Sequence, residues 1–396
     1  MVVDDTSSLT PHVPVIVLGV GPTALGVVRS VGRAGLKPWI ICAHGDVVSH
    51  SRWVRGRIVE QTEAEDAGQL LALRERLGFE RAVVIPCTDV WTQTVANLTP
   101  EEHASFAVSA PGREILEMLI DKLLFARTLE RLDIPRPATI EVTSDSDLDI
   151  TLEGYFLKPR QSQLFGRHHQ RKVLTFESQD EASAALTVIE DFGLSAVLQE
   201  IIPGPTSQNY FIDGFMDRHG NVRALFARRK LRMFPIDYGN STFMETVALE
   251  DVQPAVDNLV RLLQDVGYRG IFSGEFKHDT RDGLFKLLEV NSRPWLYIEF
   301  AARCGVDVSM LAYRDALELE TADVPSAYPV GVRCVFLPQD FRAYLCLRRA
   351  GEISLLRWIR SWLGARPTLF AWSDPMPALS LPLVFFHVRR KWRRRT

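Results

Sequence analysis

The stretch LLEVNSRPW, Leu287 to Trp295, sets Glu289, Asn291 and Arg293 two residues apart, so on an extended chain all three share one face. A strand that only fills a core has no use for a carboxylate, an amide and a guanidinium on the same side. Working outward, GIFSGEFKHDTRDGLFKLLEVN reads as a hairpin turning at DTRDG. If the turn centres near Arg281 and Asp282, an even register puts Glu275 opposite Glu289. Ser273, Glu275, Lys277, Glu289 and Asn291 then line one face, while Phe272, Phe276, Leu288 and Val290 can enter a core from the other. Opposed carboxylates repel and need a compensating positive charge. Mg²⁺ suits the position, because it takes carboxylate and amide oxygens and keeps sites for phosphate. The alternative is a solvated sheet face on which Lys277 neutralises one acid.

The surrounding chain bounds what such a hairpin can belong to. With 396 residues it has room for two or three domains and a sizeable core. Apolar residues at 46% and charged residues at 24% fit an ordered globular protein and exclude extensive disorder. The formal charge of −3 hides an asymmetry: the terminal RRKWRRRT holds six cations and no acid, leaving about −9 for the rest. That acidic balance disfavours a nucleic-acid partner. Cys42, Cys87, Cys304, Cys334 and Cys346 are scattered and never in CxxC spacing, which argues against disulfides or zinc and for a reducing compartment. The acidic start MVVDDTSSLTPH has no signal-peptide pattern, and no apolar run reaches 18 residues. The expectation is a cytoplasmic protein.

PVIVLGVGPTALGVVRSVGRAGLKPWIICA reads as strand, glycine turn, helix, turn and strand, with Val15 to Leu18 suited to burial on both faces. Gly19, Gly21 and Gly26 surround the turn, Gly35 is placed to end the helix, and RAVVIPC is another buried strand. Glu114 to Leu132 reads as one uninterrupted helical block. GYFLKPR and SAVLQEIIPG frame the helix DEASAALTVIEDFG, and a hairpin turns at Arg218 to Asn221. PAVDNLVRLLQDVGYRG is an amphipathic helix with Val256, Leu259, Leu262, Leu263 and Val266 on one stripe. Beyond Glu320 the pattern weakens to short helices and proline-rich connectors.

Several of these elements, in this order, resemble the ATP-grasp superfamily. Glu289-x-Asn291-x-Arg293, with Glu275 one strand earlier, is similar to its metal-binding signature. Asp121-Lys122 opening a helix before IPRPAT, the FLKPR strand with Lys158, and LQEIIPG as an adenine hinge complete the likeness over residues 113 to about 315. The resemblance implies an α/β protein: an open α/β domain over 1–112, a small ATP-grasp lobe over 113–200, a large lobe with the metal site over 201–320, and a C-terminal extension over 321–396. It implies ATP with Mg²⁺ (or Mn²⁺) as cofactors. Lys122 and Lys158 would meet the α- and β-phosphates, backbone groups of Glu200, Ile201 and Ile202 the adenine edge, and Gln199 or Glu200 the ribose. Alone, either lysine reads as an exposed surface group, and QEIIPG as a plain strand ended by Pro-Gly.

Three features depart from that pattern or compete with it. The loop RQSQLFGRHHQRK has Gly166 as its only glycine; Arg160, Arg167, Arg171 and Lys172 make it basic, with His168 and His169 as solvent-facing lid residues. GVGPTALG matches only the first glycines of a dinucleotide fingerprint, and Cys42 and His44 stand where an acid is required. In ARRKLRMF, alternation sends Arg228, Lys230 and Arg232 to one face and Arg229 to the other, either into a cleft toward a γ-phosphate and a substrate carboxylate or into a solvated patch.

What the resemblance implies chemically is an ATP-dependent carboxylate–amine ligase that forms an amide through an acyl phosphate and releases ADP and phosphate. Arg293 and Lys230 would steady that acyl phosphate. The partners would be a small-molecule acid and amine, with a homodimer left open. The alternatives are a nucleotide-binding regulatory or scaffolding protein, and a nicotinamide-dependent oxidoreductase resting on the GVG turn alone. Finally, SLPLVFFHVRRKWRRRT is too short to span a bilayer. It reads either as a peripheral contact with the inner face of an anionic membrane or as a final packed element with a solvated basic end.

Overall fold

The computed structural model describes residues 13–43, 45–59, 67–143, 154–161, 173–236, 238–321 and 327–381. His44, the loop residues Gly166 to His169 with Arg171 and Lys172, and the basic tail from 382 onward lie outside them.

The first unit is a five-stranded parallel sheet of β1 (Val15–Leu18), β2 (Trp39–Cys42), β3 (Gly56–Val59), β4 (Ala82–Pro86) and β5 (Phe106–Ala107). Its spatial order is β3-β2-β1-β4-β5. The run VIVL is buried throughout because helices cover both faces of such a sheet. The helices are α1 (Gly21–Arg33), α2 (Ala67–Leu77), α3 (Asp89–Ala96) and α4 (Pro100–Ser105). The turn into α1 needs its glycines for space and conformation: Gly21 has φ +67, and a Cβ on Gly19 would stand 2.9 Å from Cys87 Cβ. All five cysteines are unbridged, four of them buried.

Next come α5 (Arg113–Ile120) and α6 (Lys122–Arg131), two helices where the sequence suggested one. Asp121 makes the break. Its extended backbone (ψ 110) ends α5, and its carboxylate accepts the N–H groups of Leu123 and Leu124, capping α6. Aspartate gains more from two orphan donors at a helix start than from a place in a helix interior. A small antiparallel sheet, β6 (Thr139–Val142), β8 (Ala196–Glu200) and β7 (Tyr155–Pro159) in spatial order, then packs on α7 (Gln179–Glu190) through Leu186, Ile189, Leu157 and Leu198.

The large sheet orders its strands β13-β12-β9-β10-β11-β14-β15. These are β9 (Asn209–Met216), β10 (Val222–Phe234), β11 (Asn240–Thr246), β12 (Gly270–His278), β13 (Phe285–Asn291), β14 (Arg333–Val335) and β15 (Arg366–Pro367). α8 (Gln253–Asp265) buries Val256, Leu259, Leu262 and Leu263 against Phe272 and Phe276 of β12, with Val266 partly buried. α9 (Ile298–Arg303) and α10 (Val308–Ala316) lie between this sheet and the first unit. At that crossing Gly26 of α1 is needed for close approach, since a Cβ would fall 2.6 Å from Ile298 Cγ2.

Two β-bulges correct the simple alternation read from sequence. In the β12–β13 ladder Glu275 faces Glu289, but Phe276 faces Leu287, so Leu288 is the extra residue. Leu287 therefore fills the core in place of Leu288, which is only partly buried. In β10 the register shifts between Lys230 and Arg232, which takes Arg232 out of line with Arg228 and Lys230.

The residues beyond 320 are built into the rest of the molecule. β14 pairs with β11, and β15 with β14. α11 (Leu337–Arg349) and α12 (Leu355–Ser361) join through Trp358, which stacks on Tyr344 at 4.6 Å and donates its indole N–H to Asp340. The short α13 (Met376–Leu379) ends the described chain. Just before it, Asp374 meets the fully buried Arg29 of α1. The guanidinium donates to Asp374 at 2.9 Å, to Glu299 of α9 at 2.7 Å, and to the carbonyls of Leu369 and Asp374.

Candidate active site

Four charged side chains from three directions meet over the β12–β13 hairpin. Glu275 and Glu289 are directly opposite in the ladder. Lys230 reaches across β9 and donates to Glu275 Oε1 at 2.6 Å, its ammonium 5.3 Å from the centre of the Phe211 ring. Lys122, the first residue of α6, stands 3.7 Å from Glu289 Oε2. Asn291 donates its amide to Glu289 Oε1 at 3.1 Å. The cap at Asp121 sets this direction for Lys122, and Arg160 holds that cap with hydrogen bonds of 2.7 and 2.8 Å. The Glu275 side chain is 16% exposed and that of Glu289 is 39%, so the cluster opens to solvent at Glu289.

The donor set suits a hard cation. Among the described residues no group of three or more His, Cys, Asp or Glu is placed to hold a metal ion. A cation here could take two carboxylates and the Asn291 amide from the protein and would have to complete its shell elsewhere, for which the phosphate oxygens of a nucleotide suit Mg²⁺. Glu289 is half-exposed, 3.7 Å from the Lys122 ammonium.

Of the three β10 cations that alternation sends to one face, only Lys230 serves this cluster, which corrects the picture of three charges aimed at one cleft. Arg228 is buried against Asp213 at 2.5 Å and lies 4.0 Å from the Phe211 ring centre. Arg232, displaced by the bulge, is bidentate to Asp340 of α11. Arg229, on the opposite face, pairs with Glu245.

Arg293 turns toward the first unit. It grips Asp89, at the start of α3, with bonds of 2.6 and 3.1 Å, and lies 3.4 Å from Asn291 Oδ1. Burial works to lower the Arg293 pKa, but the charge and hydrogen bonds of Asp89 outweigh it and hold the pKa above its ordinary value. Asp89 was not singled out from the sequence. The usable signal was its position: CTD lies just past the C-terminal end of β4, where side chains of open parallel sheets face ligands.

Lys158 of β7 donates to Gln199 Oε1 at 3.0 Å and lies 4.8 Å from the Phe156 ring centre. At the hinge, Glu200 N–H donates to Ala138 and its carboxylate takes the Ala138 N–H and the Arg281 guanidinium. Ile201 N–H donates to Gly154, and Ile202 is half-buried beside it. Lys277, which the alternative of a solvated face would have neutralise one acid, donates to the carbonyls of Gly204 and Pro205, 2.9 and 2.8 Å away. Burial pushes its pKa down to about 8, Lys230 adds to that and Glu275 opposes it. It ties the hinge segment to the strand that carries Glu275.

The GVG turn is closed from within. The N–H of Gly21, at the start of α1, donates to both carboxylate oxygens of Asp46 at 2.9 and 3.1 Å, and Val48 N–H donates to one of them. A carboxylate of the protein occupies the helix terminus that a dinucleotide phosphate would need.

No family model matches the chain. D-aspartate ligase of Enterococcus faecium (strain Aus0004) is 24% identical over 252 residues, covering 60% of this chain. The alignment spans 59% of that enzyme, so the chain matches about three fifths of its curated relative's length. Among solved structures, an L-amino acid ligase from Bacillus licheniformis superimposes with a TM-score of 0.60 at 15% identity, over 77% of this chain and 74% of that one. An ADP complex of N5-carboxyaminoimidazole ribonucleotide synthetase gives 0.64 at 14% identity, over 86% of each chain. Biotin carboxylase from Campylobacter jejuni also gives 0.64, at 15% identity over 81% and 74%. A small antiparallel lobe, a large sheet with opposed glutamates on its edge hairpin, and these superpositions together establish that the chain has the ATP-grasp fold.

Proposed function

We propose that this chain is an ATP-dependent carboxylate–amine ligase for amino-acid-type substrates, forming an amide through an acyl phosphate. The observation that carries the reading is the opposed pair Glu275 and Glu289, joined by Asn291 and flanked by the ammonium groups of Lys230 and Lys122. Glu275, Glu289 and Asn291 would hold Mg²⁺ on the nucleotide. Bound there, the metal neutralises phosphate charge and acts as a Lewis acid on the transferred phosphoryl group.

The protein's own groups have separable tasks. Lys122 and Lys158 would bind α- and β-phosphate oxygens as point charges, with Gln199 orienting Lys158. Glu200, Ile201 and Ile202 would form the adenine edge; the N–H groups of the first two are already used, which leaves their carbonyls to accept from the adenine amino group. Lys230, beside Glu275, would stabilise the γ-phosphoryl oxygens. A substrate carboxylate oxygen attacks the γ-phosphorus, the bond to ADP breaks and an acyl phosphate forms. The amine nitrogen then attacks the acyl carbon, phosphate departs and the nitrogen loses a proton. Arg293, aimed by Asp89, would hold the acyl phosphate oxygens through the second step.

The name of the curated relative favours an amino acid as one substrate. A cleft of about 410 Å³ lies between α3, α5 and α6, with Asp121 in its wall. By its composition, the basic tail is assigned a peripheral contact with an anionic membrane surface.

Hydroxylamine tests the chemistry. With ATP, Mg²⁺ and a panel of amino acids, it should intercept the acyl phosphate as a hydroxamate from the true acid. ADP release with substrate but no hydroxamate would replace the ligase reading with kinase or ATPase chemistry. Nucleotide binding without ADP release across the panel would favour a regulatory relative.

A further inference from the structure

Nine of the seventeen large apolar side chains exposed among the described residues lie between 341 and 379, so about a tenth of the chain holds more than half of them. They are ordered around α11 and α12. On α12 and the turn after it, Leu355, Leu356, Ile359 and Leu363 recur at i, i+1, i+4 and i+8, a single helical stripe, and are 39% to 71% exposed. Phe341 and Leu345, one turn apart on α11, are exposed as well. This helix pair does not lack an anchor. Trp358 points inward, stacks on Tyr344 and bonds to Asp340, so the stripe is the face left over once α12 is seated.

Charge identifies what that face fits. Arg342, Arg348 and Arg349 of α11 and Arg357 and Arg360 of α12 lie on the same two helices and are all exposed. From 341 to 396 there are twelve arginines and lysines against two acids, and one of those acids, Asp374, is buried on Arg29. A second copy using the same face would set arginine against arginine. The chain's own tail, with six cations and no acid, would meet the same repulsion. A nucleic acid would satisfy the arginines but leave the leucine stripe in water. An anionic bilayer satisfies both, because leucine and phenylalanine can sink to the acyl boundary while arginines reach headgroup phosphates.

We propose that the α11–α12 face of the C-terminal extension is a docking surface for an anionic lipid bilayer. No helix among the described residues is long and apolar enough to cross a membrane, so the contact is peripheral. The assignment does not depend on the ligase reading, and vesicle binding can hold or fail whatever the enzyme's turnover.

Flotation of the full chain with phosphatidylcholine vesicles, alone or mixed with an equal amount of phosphatidylglycerol, tests it. The protein should float with the mixed vesicles only, and less so in high salt. In the full chain with its tail intact, Leu356→Glu with Leu363→Glu should cut partitioning about tenfold or more. Thermal stability and nucleotide binding should be unchanged, because both side chains are exposed. Leu356→Ser with Leu363→Ser gives a weaker loss in the same direction and guards against any effect of the added charge. Three outcomes overturn the proposal: no flotation of the unaltered chain with mixed vesicles; full flotation of both leucine variants, which leaves the tail acting alone; or a dimer in sedimentation that the leucine variants dissociate with no change in vesicle binding.

Discussion

The molecule has two places where a sequence motif advertises a nucleotide, and they end up in opposite electrostatic conditions. At the glycine turn before α1, the helix N-terminus offers N–H donors to an anion, and Asp46 supplies that anion from within. At the β12–β13 hairpin, two opposed carboxylates receive one close ammonium at 2.6 Å and one distant at 3.7 Å, with Glu289 open to water. At the first motif the fold supplies the anion itself; at the second it gathers two carboxylates on one face, an arrangement that a cation would bridge. Two motifs of similar promise in the sequence thus meet opposite surroundings in the fold, and residue spacing alone does not tell them apart.

The sharpest way to break the comparison is Glu289→Gln. It should lower ADP release by about 10²- to 10³-fold, because a metal ligand and its charge are lost where phosphoryl charge develops. The melting temperature should hold, since removing one of two opposed carboxylates relieves repulsion. Near-normal turnover at saturating Mg²⁺ would place the metal elsewhere.

At the satisfied motif the expectation reverses. Asp46→Ala should cost stability, about 1–2 kcal/mol, because Gly21 and Val48 lose the acceptor for their N–H groups. Turnover per folded molecule should not change. Denaturant unfolding beside an ADP assay separates the two, and a selective loss of activity would return the glycine turn to the list of ligand sites.

The smallest effect is a slope. The Lys277 pKa is about 8 in the folded protein, below the ordinary lysine value of 10.5, so between these values the unfolded chain binds more protons and stability rises with pH. The burden of a charged, buried Lys277 is full below about pH 8 and is relieved as pH climbs toward 10.5. Lys277→Gln should flatten that rise relative to the parent in paired melts from pH 7.5 to about 10. Parallel curves would mean that Lys277 keeps an ordinary pKa on the strand it shares with Glu275.

The sequence was legible where side-chain period and turn chemistry agree. The DTRDG turn fixed Glu275 against Glu289, and the VIVL run fixed a strand covered on both sides. It was illegible where neighbours are chemically equivalent: in LLEVN either leucine can enter the core, and only the bulge decides for Leu287. Asp121 was hidden because a helix break needs neither glycine nor proline when a side chain can cap the next turn. β14 and β15, three and two residues long, have too little sequence to show a period and form only because β11 offers an edge. Arg293 could be found as part of a motif, but its partner Asp89 lies 204 residues away and no local pattern joins them.

The Arg29 junction has a consequence for how the chain is made. Synthesis runs from the N-terminus, and early domains commonly fold while later ones are still being added. Arg29 sits in the second element of the first unit, yet one of its carboxylates arrives at residue 299 and the other at 374. A buried guanidinium without its partners is strongly destabilising, by about 3–5 kcal/mol. Arg29 therefore reaches its buried, fully paired state only after residue 374 has been made.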